Sequence, residues 1–221
     1  MLDRVSQTLR DLVELTIVVD PMYDQNCYVL RRRDTQRVLL IDPGLQHQQT
    51  LDLLERDALT CEEILCTHGH PDHVSGVPAV KAAHGCEAAI HPDDREQLPA
   101  VHFLPGVPPD LPDVVCEREL HDGELISWQG LDIEVVHTPG HTRGSVCFRI
   151  DLDLYAGDTL FKQGVGRTDL PGGSWPALVF SIENRVYALP PATVVYPGHG
   201  QRTTIREEME HNPFVVHPRY R

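Results

Sequence analysis

With 221 residues, the chain is long enough to bury one large hydrophobic core. Hydrophobic residues make up 41% of the sequence and charged residues 24%, a balance that excludes an intrinsically disordered protein. The formal net charge of -14 disfavours nucleic acid and anionic membrane surfaces as partners, because both require a cationic face. We therefore expect one domain spanning residues 1–221 that binds neither nucleic acid nor membrane.

The sequence shows no signal for secretion or membrane insertion. The N-terminal stretch MLDRVSQTLRDLVEL has early acidic residues and no apolar run ending at a small-residue cleavage site, so we expect no signal peptide. No stretch approaches the roughly 18–20 apolar residues of a membrane span. The six cysteines are scattered, mostly within apolar runs, which indicates buried, reduced thiols. These features predict a cytoplasmic protein.

Short β-branched runs and helical patterns alternate along the first half of the chain. Three apolar runs predict a meander of strands that ends at the turn Asp42-Pro43-Gly44. Apolar spacing then predicts two helices with a short buried strand between them. The predicted elements are, in chain order, strands Val13–Val19, Cys27–Leu30 and Val38–Ile41, helix Gln48–Leu59, strand Ile64–Cys66 and helix Val74–Ala83.

The second half resumes this alternation after a proline-rich segment. Leu98–Pro112 holds five prolines, which predicts an irregular connector or lid with little regular hydrogen bonding. The elements predicted after it are strands Leu131–Val136, Val146–Ile150 and Leu154–Ala156, helix Trp175–Ala188, which Ser174 can cap, strand Val194–Tyr196 and helix Thr203–His211. Strands in both halves with helices between them predict two sheets sandwiched between helical layers.

Four candidate metal ligands follow the predicted strand that ends at Cys66. They are His68, His70, Asp72 and His73, within the segment THGHPDH. Four such side chains are difficult to bury for structural reasons, because each needs its own hydrogen-bond partner, and metal binding removes that difficulty. Residues two apart in an extended segment point the same way, so His68 and His70 can converge on one ion. Asp72 and His73 lie past the next turn and can face a second ion.

Three further candidates each follow a β-rich run and lie in a glycine-bearing turn. They are His141 in HTPGHTRGS, Asp158 in YAGDTLF and His199 in YPGHG. A single histidine in a turn is more often a surface or hydrogen-bonded residue, but together these three supply ligands that the first segment lacks. The histidines interpreted as structural or surface residues are His47, His84, His91, His102, His121, His137, His211 and His217. The pattern therefore predicts a metal site built from seven side chains.

The order THGHPDH, HTPGHT, GDTLF and PGHG resembles the metallo-β-lactamase superfamily over nearly the whole chain. The resemblance implies an α/β fold, an αββα sandwich with its ligands along the edge where the two sheets meet. The ligands it implies are His68, His70 and His141 on a first metal, Asp72, His73 and His199 on a second, and Asp158 as the bridge between them. We expect two divalent ions, zinc above all, with iron or manganese as alternatives.

Two segments are more discriminating within the superfamily. They are GDTLFKQGVGRTDLPGG, Gly157–Gly173, and TTIREEMEHNPF, Thr203–Phe214. Both resemble glyoxalase II, the hydroxyacylglutathione hydrolases, particularly the short bacterial members. The sequence ends 22 residues after His199, so we expect no counterpart of the helical domain with which typical members grip glutathione. The resemblance implies cleavage of a small acyl thioester, such as glutathione-derived S-lactoylglutathione.

The ligand set also predicts a chemistry. Two divalent ions make a shared water easier to ionise and polarise a substrate carbonyl. Asp72 and Asp158 are the candidate catalytic carboxylates, which balance charge and orient the resulting hydroxide. A thiolate leaves without strong protonation, which favours thioesters over amides. Arg167 and Lys162 are candidate contacts for a substrate carboxylate, with a solvated surface charge or an ion pair to Asp169 as the alternative.

The residues leave other functions open. The GRTD loop also resembles persulfide dioxygenases, which would use one iron held by His68, His141 and Asp158. A lactonase or another ester hydrolase of the same superfamily is a further alternative, and so is a non-catalytic metal-binding protein. The sequence leaves the oligomeric state open, with a homo-oligomer as one expectation.

Overall fold

The structure is a computed structural model that describes residues 12–103, 105–107 and 109–216. Most of the N-terminal stretch for which no signal peptide is predicted lies outside the described residues, and so does His217. Two positions of the proline-rich segment, 104 and 108, also lie outside them. No helix in the described part of the chain is long and apolar enough to cross a membrane.

The first sheet contains six strands whose spatial order follows the sequence. Its first three strands form an antiparallel meander, and the next three join in parallel. Parallel neighbours require crossover connections, which explains the helices between them. The elements are β1 Val13–Val19, β2 Asn26–Arg32, β3 Arg37–Ile41, α1 His47–Arg56, β4 Thr60–Leu65, α2 Pro71–Val74, α3 Val77–His84, β5 Glu87–Ile90, a 3-10 helix Pro92–Phe103 and β6 Arg118–Glu119.

The second sheet has the order β14-β13-β10-β9-β8-β7. Its pairs are antiparallel except β10 with β13, which are joined by a crossover that contains a helix. A separate two-stranded hairpin, β11–β12, follows β10. The elements are β7 Leu125–Trp128, β8 Leu131–His137, β9 Val146–Ile150, β10 Asp153–Gly157, β11 Leu160–Phe161, β12 Gly164–Val165, α4 Trp175–Ser181, a π-helix Ile182–Val186, β13 Val194–Pro197, β14 Thr203–Thr204 and α5 Ile205–His211.

The main core lies between the two sheets. Leu30 and Leu39 of the first sheet pack in one cluster with Ile133 and Phe148 of the second. All four side chains are fully buried. Since successive strand residues point to opposite faces, each sheet also has an outer apolar face that needs a cover.

Helices cover both outer faces. Leu54 of α1 and Val80 of α3 pack in a second cluster with strands of the first sheet. Leu178 of α4 and Met209 of α5 pack in a third cluster with strands of the second sheet. The layers are therefore helix, sheet, sheet and helix, and the predicted αββα sandwich is confirmed.

Several predicted helix boundaries are wrong, and the structure gives a reason for each. The helix predicted at Val74–Ala83 is two helices, α2 and α3, separated at Gly76. A Cβ at Gly76 would lie 2.6 Å from the carbonyl oxygen of Gly44, so the chain there is set by close packing rather than by helical periodicity. The helix predicted at Gln48–Leu59 ends at Arg56, and Ala58 adopts a left-handed conformation with a φ of 51°.

Later elements also differ from the prediction. The helix predicted at Trp175–Ala188 is α-helical only to Ser181 and continues as a π-helix, although Ser174 caps it as predicted by accepting a hydrogen bond from the backbone amide of Ala177. The proline-rich loop predicted at Leu98–Pro112 begins inside the 3-10 helix, where Val101 is fully buried. The last predicted helix starts at Ile205, because Thr203–Thr204 pairs with β13 as strand β14.

Truncation of the core between the sheets is expected to be costly. Leu30→Ala should lower the free energy of unfolding by about 2–5 kcal/mol, because it removes buried methyl groups and leaves a cavity. Leu152→Ala is the control, since that side chain is 41% exposed, and it should change stability little. Chemical denaturation of both variants measures the difference, and an equal cost for the two would contradict the assignment of the core.

Candidate metal centre

The seven candidate ligands gather at one edge of the sandwich, where strands of both sheets end. His68 and His70 follow β4, and Asp72 and His73 lie in α2 just beyond them. His141 follows β8, Asp158 follows β10, and His199 follows β13. Side chains that are far apart in sequence thus reach one place because four chain segments meet there.

Three imidazoles form a first trio, His68, His70 and His141, whose ligand atoms lie within 4.8 Å of one another. The Nε2 atoms of His68 and His141 are 3.3 Å apart. Nδ1 of His141 donates a hydrogen bond to the carbonyl oxygen of Arg167 at 2.8 Å, so its Nε2 carries the lone pair. Nδ1 of His68 lies 3.0 Å from Oγ1 of Thr67, which places the lone pair of its Nε2 toward the same space.

Asp72, His73 and His199 form a second trio with the same spread of at most 4.8 Å. The Nε2 atoms of His73 and His199 are 3.2 Å apart. Nδ1 of His199 donates to the carbonyl oxygen of Tyr23 at 2.8 Å. Nδ1 of His73 donates to Oδ2 of Asp42 at 2.9 Å. Both imidazoles are therefore held from behind and turn Nε2 toward Asp72.

Asp158 lies between the two trios. Its Oδ2 is 3.4 Å from Nε2 of His141 and 3.5 Å from Nε2 of His199. Its Oδ1 is 3.4 Å from Nε2 of His73, and this buried atom has no hydrogen-bond partner among the described residues. Burial alone would raise the pKa of Asp158, but the surrounding imidazoles, His73 first, have the larger opposite effect. The net pKa is lowered, so the carboxylate is ionised. A carboxylate in this position can bridge two cations.

The donor set fits divalent metal ions. Two imidazole nitrogens that present lone pairs to each other at 3.2–3.3 Å repel unless a proton or a cation lies between them. Zinc–nitrogen bonds of 2.0–2.1 Å in tetrahedral geometry would hold two such nitrogens about 3.3–3.4 Å apart. The spacing is thus that of nitrogens sharing one ion, and each trio contains one such pair.

Burial and neighbouring charge make the two trios electrostatically different. Burial, followed by the nearby histidines, lowers the pKa of His68 well below its usual value, and burial lowers the pKa of His70 to about 4. These imidazoles are neutral and ready to bind a cation. Burial also acts on His73, but the Asp72 and Asp158 carboxylates outweigh it and raise its pKa well above the usual value. A metal ion would displace that proton.

The sequence did not identify Asp42 beyond its place in a turn. Its carboxylate accepts hydrogen bonds from the backbone amide and the hydroxyl of Thr67 at 2.7 and 2.6 Å, in addition to its bond with His73. It therefore orients one ligand directly and, through Thr67, orients His68 as well. An aspartate before Pro-Gly is a common turn residue, so no local signal marks this role.

Asp94 is a second residue that sequence reasoning missed. It is fully buried, and its carboxylate accepts hydrogen bonds from the backbone amides of Gly69 and Gly144 and from the hydroxyl of Thr142, at 2.7–2.8 Å. Gln97 donates a fourth bond at 2.9 Å. The loop of THGHPDH is thereby tied to the loop of HTPGHT, which fixes His68 and His70 relative to His141.

The predicted substrate contacts lie outside this cluster. The Arg167 guanidinium forms a two-pronged, exposed ion pair with Asp169 at 2.7 Å, which is the alternative that the sequence left open. Lys162 is exposed and its Nζ lies 3.5 Å from Oε1 of Gln201. Substrate binding by Arg167 and Lys162 stays a prediction.

Two histidines interpreted as structural residues, His91 and His137, form another group with Asp93, with ligand atoms within 4.8 Å. Their rings are stacked at 4.2 Å with only 8° between their planes. Imidazole lone pairs lie in the ring plane, so parallel stacked rings cannot both point at one ion. Nε2 of His137 also donates to the carbonyl oxygen of Arg143 at 2.9 Å. This arrangement agrees with the structural interpretation.

A family model described as the metallo-beta-lactamase superfamily matches residues 21–199, a range that contains all seven candidate ligands. The chain belongs to the metallo-β-lactamase superfamily. Among its relatives in the superfamily, Rv2581c of Mycobacterium tuberculosis is 40% identical over 209 residues, 86% of this chain and 92% of that protein. Hydroxyacylglutathione hydrolase GloC of Haemophilus influenzae is 33% identical over 213 residues, 92% of this chain and 98% of GloC.

Solved structures of the superfamily share the fold. BLEG-1 B3 metallo-beta-lactamase matches with a TM-score of 0.83 and 35% identity, covering 92% of this chain and 99% of BLEG-1. TTHA1623 in a di-iron-bound form matches with a TM-score of 0.80 and 33% identity, over 90% and 100% of the two chains. ETHE1 from Myxococcus xanthus matches with a TM-score of 0.78 and 26% identity, over 92% and 84%.

Loss of the Asp94 carboxylate is expected to loosen the tie between the two ligand loops. Asp94→Asn keeps the shape but replaces one acceptor oxygen with a donor, which would face the backbone amide of Gly69 or Gly144 and leave it unpaired. We expect a loss of about 1–3 kcal/mol in unfolding free energy and weaker metal binding.

The control for this variant is Asp93→Asn, because the neighbouring side chain is 58% exposed. Thermal unfolding and a zinc titration of both variants give the measurement. Wild-type zinc affinity in Asp94→Asn would show that the tie does not position the ligands.

Proposed function

We propose that this metallo-β-lactamase superfamily member is a hydrolase of small acyl thioesters that works with two divalent metal ions. Zinc is the expected metal, and S-lactoylglutathione is the substrate to test first. The observation that carries the proposal is the pair of Nε2 contacts at 3.3 and 3.2 Å with the ionised Asp158 carboxylate between them. This arrangement offers two adjacent cation sites joined by one carboxylate.

Each ligand has a part in the proposed centre. His68, His70 and His141 would hold the first ion, and Asp72, His73 and His199 the second, with Asp158 bridging both. Two divalent ions held here would supply a water that ionises near neutral pH and a Lewis acid for the substrate carbonyl. As neutral ligands, these three imidazoles would leave the positive charge of the first ion largely uncompensated, which would favour carbonyl polarisation at that side.

Two carboxylates, Asp72 and Asp158, are proposed to assist the attack of water on the substrate. Oδ2 of Asp72 lies 3.3 Å from Nε2 of His199. Burial raises the pKa of Asp72, but His73 and His199 outweigh that effect, and the pKa is lowered. Asp72 and Asp158 are therefore both ionised and can accept a proton or orient the attacking water by hydrogen bonding.

The thioester preference has support from chemistry and from a relative. A thiolate departs without strong protonation, so a site without a strong general acid suits a thioester. GloC, named a hydroxyacylglutathione hydrolase, aligns over almost its whole length with this chain. The exposed Arg167–Asp169 pair contributes little stability, so a substrate carboxylate can replace Asp169 at low cost.

All six cysteines are buried and free of disulfides, which supports action in a reducing compartment such as the cytoplasm.

A second candidate function is persulfide oxidation at a single iron. His68, His141 and Asp158 converge, with 3.3 Å between the two Nε2 atoms and 3.4 Å from His141 to the carboxylate. Two histidines and one carboxylate that leave open positions suit iron(II) oxygen chemistry. The second trio then has no assigned role, which is why the hydrolase is preferred.

Removal of the bridging carboxylate is expected to abolish the paired site. Asp158→Ala should bind fewer metal ions per chain and lose at least about 100-fold in thioester cleavage, since second-site affinity and charge balance both depend on it. Metal content by mass spectrometry and thiol release by a colorimetric reagent are measured together. Asp132→Ala, at an exposed position on β8, is the control. Full metal content and full activity in Asp158→Ala would refute the bridging role.

The two candidate functions predict different results with purified wild-type protein. Loading with zinc should give S-lactoylglutathione hydrolysis, faster than hydrolysis of a matched oxygen ester or lactone, and no oxygen consumption. Loading with iron tests the alternative, with glutathione persulfide as substrate and an oxygen electrode as the readout. Oxygen uptake with one iron per chain and no thioester cleavage would replace the hydrolase by the dioxygenase.

A further inference from the structure

Helix α5 is bonded to the hairpin β11–β12 through two buried side chains, Glu208 and Asn212. Glu208 is 1% exposed and Asn212 is fully buried. The Glu208 carboxylate accepts hydrogen bonds from the backbone amide of Gln163 at 2.8 Å and from the Asn212 side chain at 2.8 Å. The same Asn212 nitrogen donates to the carbonyl oxygen of Gly164 at 3.0 Å. Both backbone groups belong to the turn region of the hairpin.

The hairpin turn needs such external support. Gln163 has a φ of 55°, the left-handed region that residues other than glycine rarely adopt. Its backbone amide is fixed by Glu208, which also accepts a 2.6 Å bond from the Thr203 hydroxyl. A buried carboxylate with several donors is well satisfied, and it holds a strained turn in one position.

Both ends of the hairpin reach the candidate metal ligands. Phe161 in β11 packs its ring edge-to-face against His199, with centroids 6.0 Å apart. At the other end, Gly166 comes directly after β12 and packs against Asp158 and His141. A Cβ at Gly166 would lie 1.9 Å from the carbonyl oxygen of Asp158 and 3.0 Å from Nδ1 of His141. The next carbonyl, of Arg167, accepts the 2.8 Å bond from that Nδ1. The hairpin and the two residues that follow it thus contact one imidazole of each trio.

From these contacts we infer that Glu208 and Asn212 are positioning residues of the metal centre, an inference that rests on the metal binding proposed above. They fix the hairpin, and the hairpin orients His141 through the Arg167 carbonyl and His199 through Phe161. The family match ends at residue 199, so α5 lies beyond the matched region. The closing segment of the chain therefore sets metal affinity without providing a ligand.

Two variants remove the support with different chemistry. Asn212→Asp keeps the side-chain oxygen that accepts hydrogen bonds from the backbone amides of Phe214 and Val215. It loses the side-chain nitrogen that donates to Gly164 and Glu208. Glu208→Ala removes the acceptor for Gln163. Glu208→Gln is the conservative rescue, since its oxygen can still accept from Gln163 while its amide donates to the Thr203 hydroxyl.

Tyr187→Phe is the matched structural control. The Tyr187 hydroxyl donates to the carbonyl oxygens of Glu208 and Val215 at 3.1 and 2.8 Å, so its loss weakens the same end of α5 and keeps the side-chain bonds of Glu208 and Asn212 to the hairpin. This variant should unfold at a lower temperature while its metal site stays unchanged. Phe161→Ala, at a half-buried position, tests the contact with His199 if a buried variant does not fold.

The full-length chain is titrated with zinc against a chromophoric chelator, and its cobalt(II) form is examined by visible absorption, which reports ligand geometry. Asn212→Asp and Glu208→Ala should each weaken zinc binding about tenfold and shift the cobalt bands, and Phe161→Ala should shift the bands. Glu208→Gln and Tyr187→Phe should match wild type in both readouts. Wild-type affinity and spectrum in folded Asn212→Asp, or an unshifted spectrum in Phe161→Ala, would overturn the inference alone. A wild-type chain that binds neither metal would overturn the proposed function as well.

Discussion

The need for positive charge among buried nitrogen and oxygen atoms is the constraint on which this structure depends. His68 and His141 bring their Nε2 atoms within 3.3 Å, and His73 and His199 bring theirs within 3.2 Å. An ionised, buried carboxylate from Asp158 lies between these pairs. Without a proton or a metal ion between the paired nitrogens, such a cluster costs free energy through desolvation and lone-pair repulsion. A fold that assembles it from four chain segments offers a site suited to positive charge.

The oxygen atoms behind the imidazoles decide which nitrogen faces the centre. Nδ1 of His141, His199 and His73 each donates to a carbonyl or carboxylate oxygen, of Arg167, Tyr23 and Asp42 respectively. These partners come from the hairpin exit, the β1–β2 connection and the end of β3. Because a neutral imidazole with Nδ1 protonated can coordinate only through Nε2, the surrounding backbone sets the tautomers as well as the positions.

The secondary structure predicted from the sequence agrees with the structure where a local pattern sets the element. It differs where contacts with distant residues set the boundary of the element. The meander of the first sheet and the Ser174 cap follow from β-branched runs and capping chemistry. The division at Gly76 does not, because it results from the approach of the Gly44 carbonyl. Strands β5 and β6 were missed, since β5, EAAI, has only one β-branched residue and β6, RE, has none.

The sequence alone determined the candidate ligands, because histidines and aspartates at fixed spacing beside glycines need no tertiary information to be found. Only the tertiary structure decided the roles of Asp42, Asp94, Glu208 and Asn212. Each of these acts on a partner remote in the chain, 31 residues from Asp42 to His73, 50 from Asp94 to Gly144 and 48 from Asn212 to Gly164. The sequence shows where a carboxylate or an amide lies in the chain and which kinds of hydrogen bond it can form. The tertiary fold determines which donors and acceptors lie within reach of it.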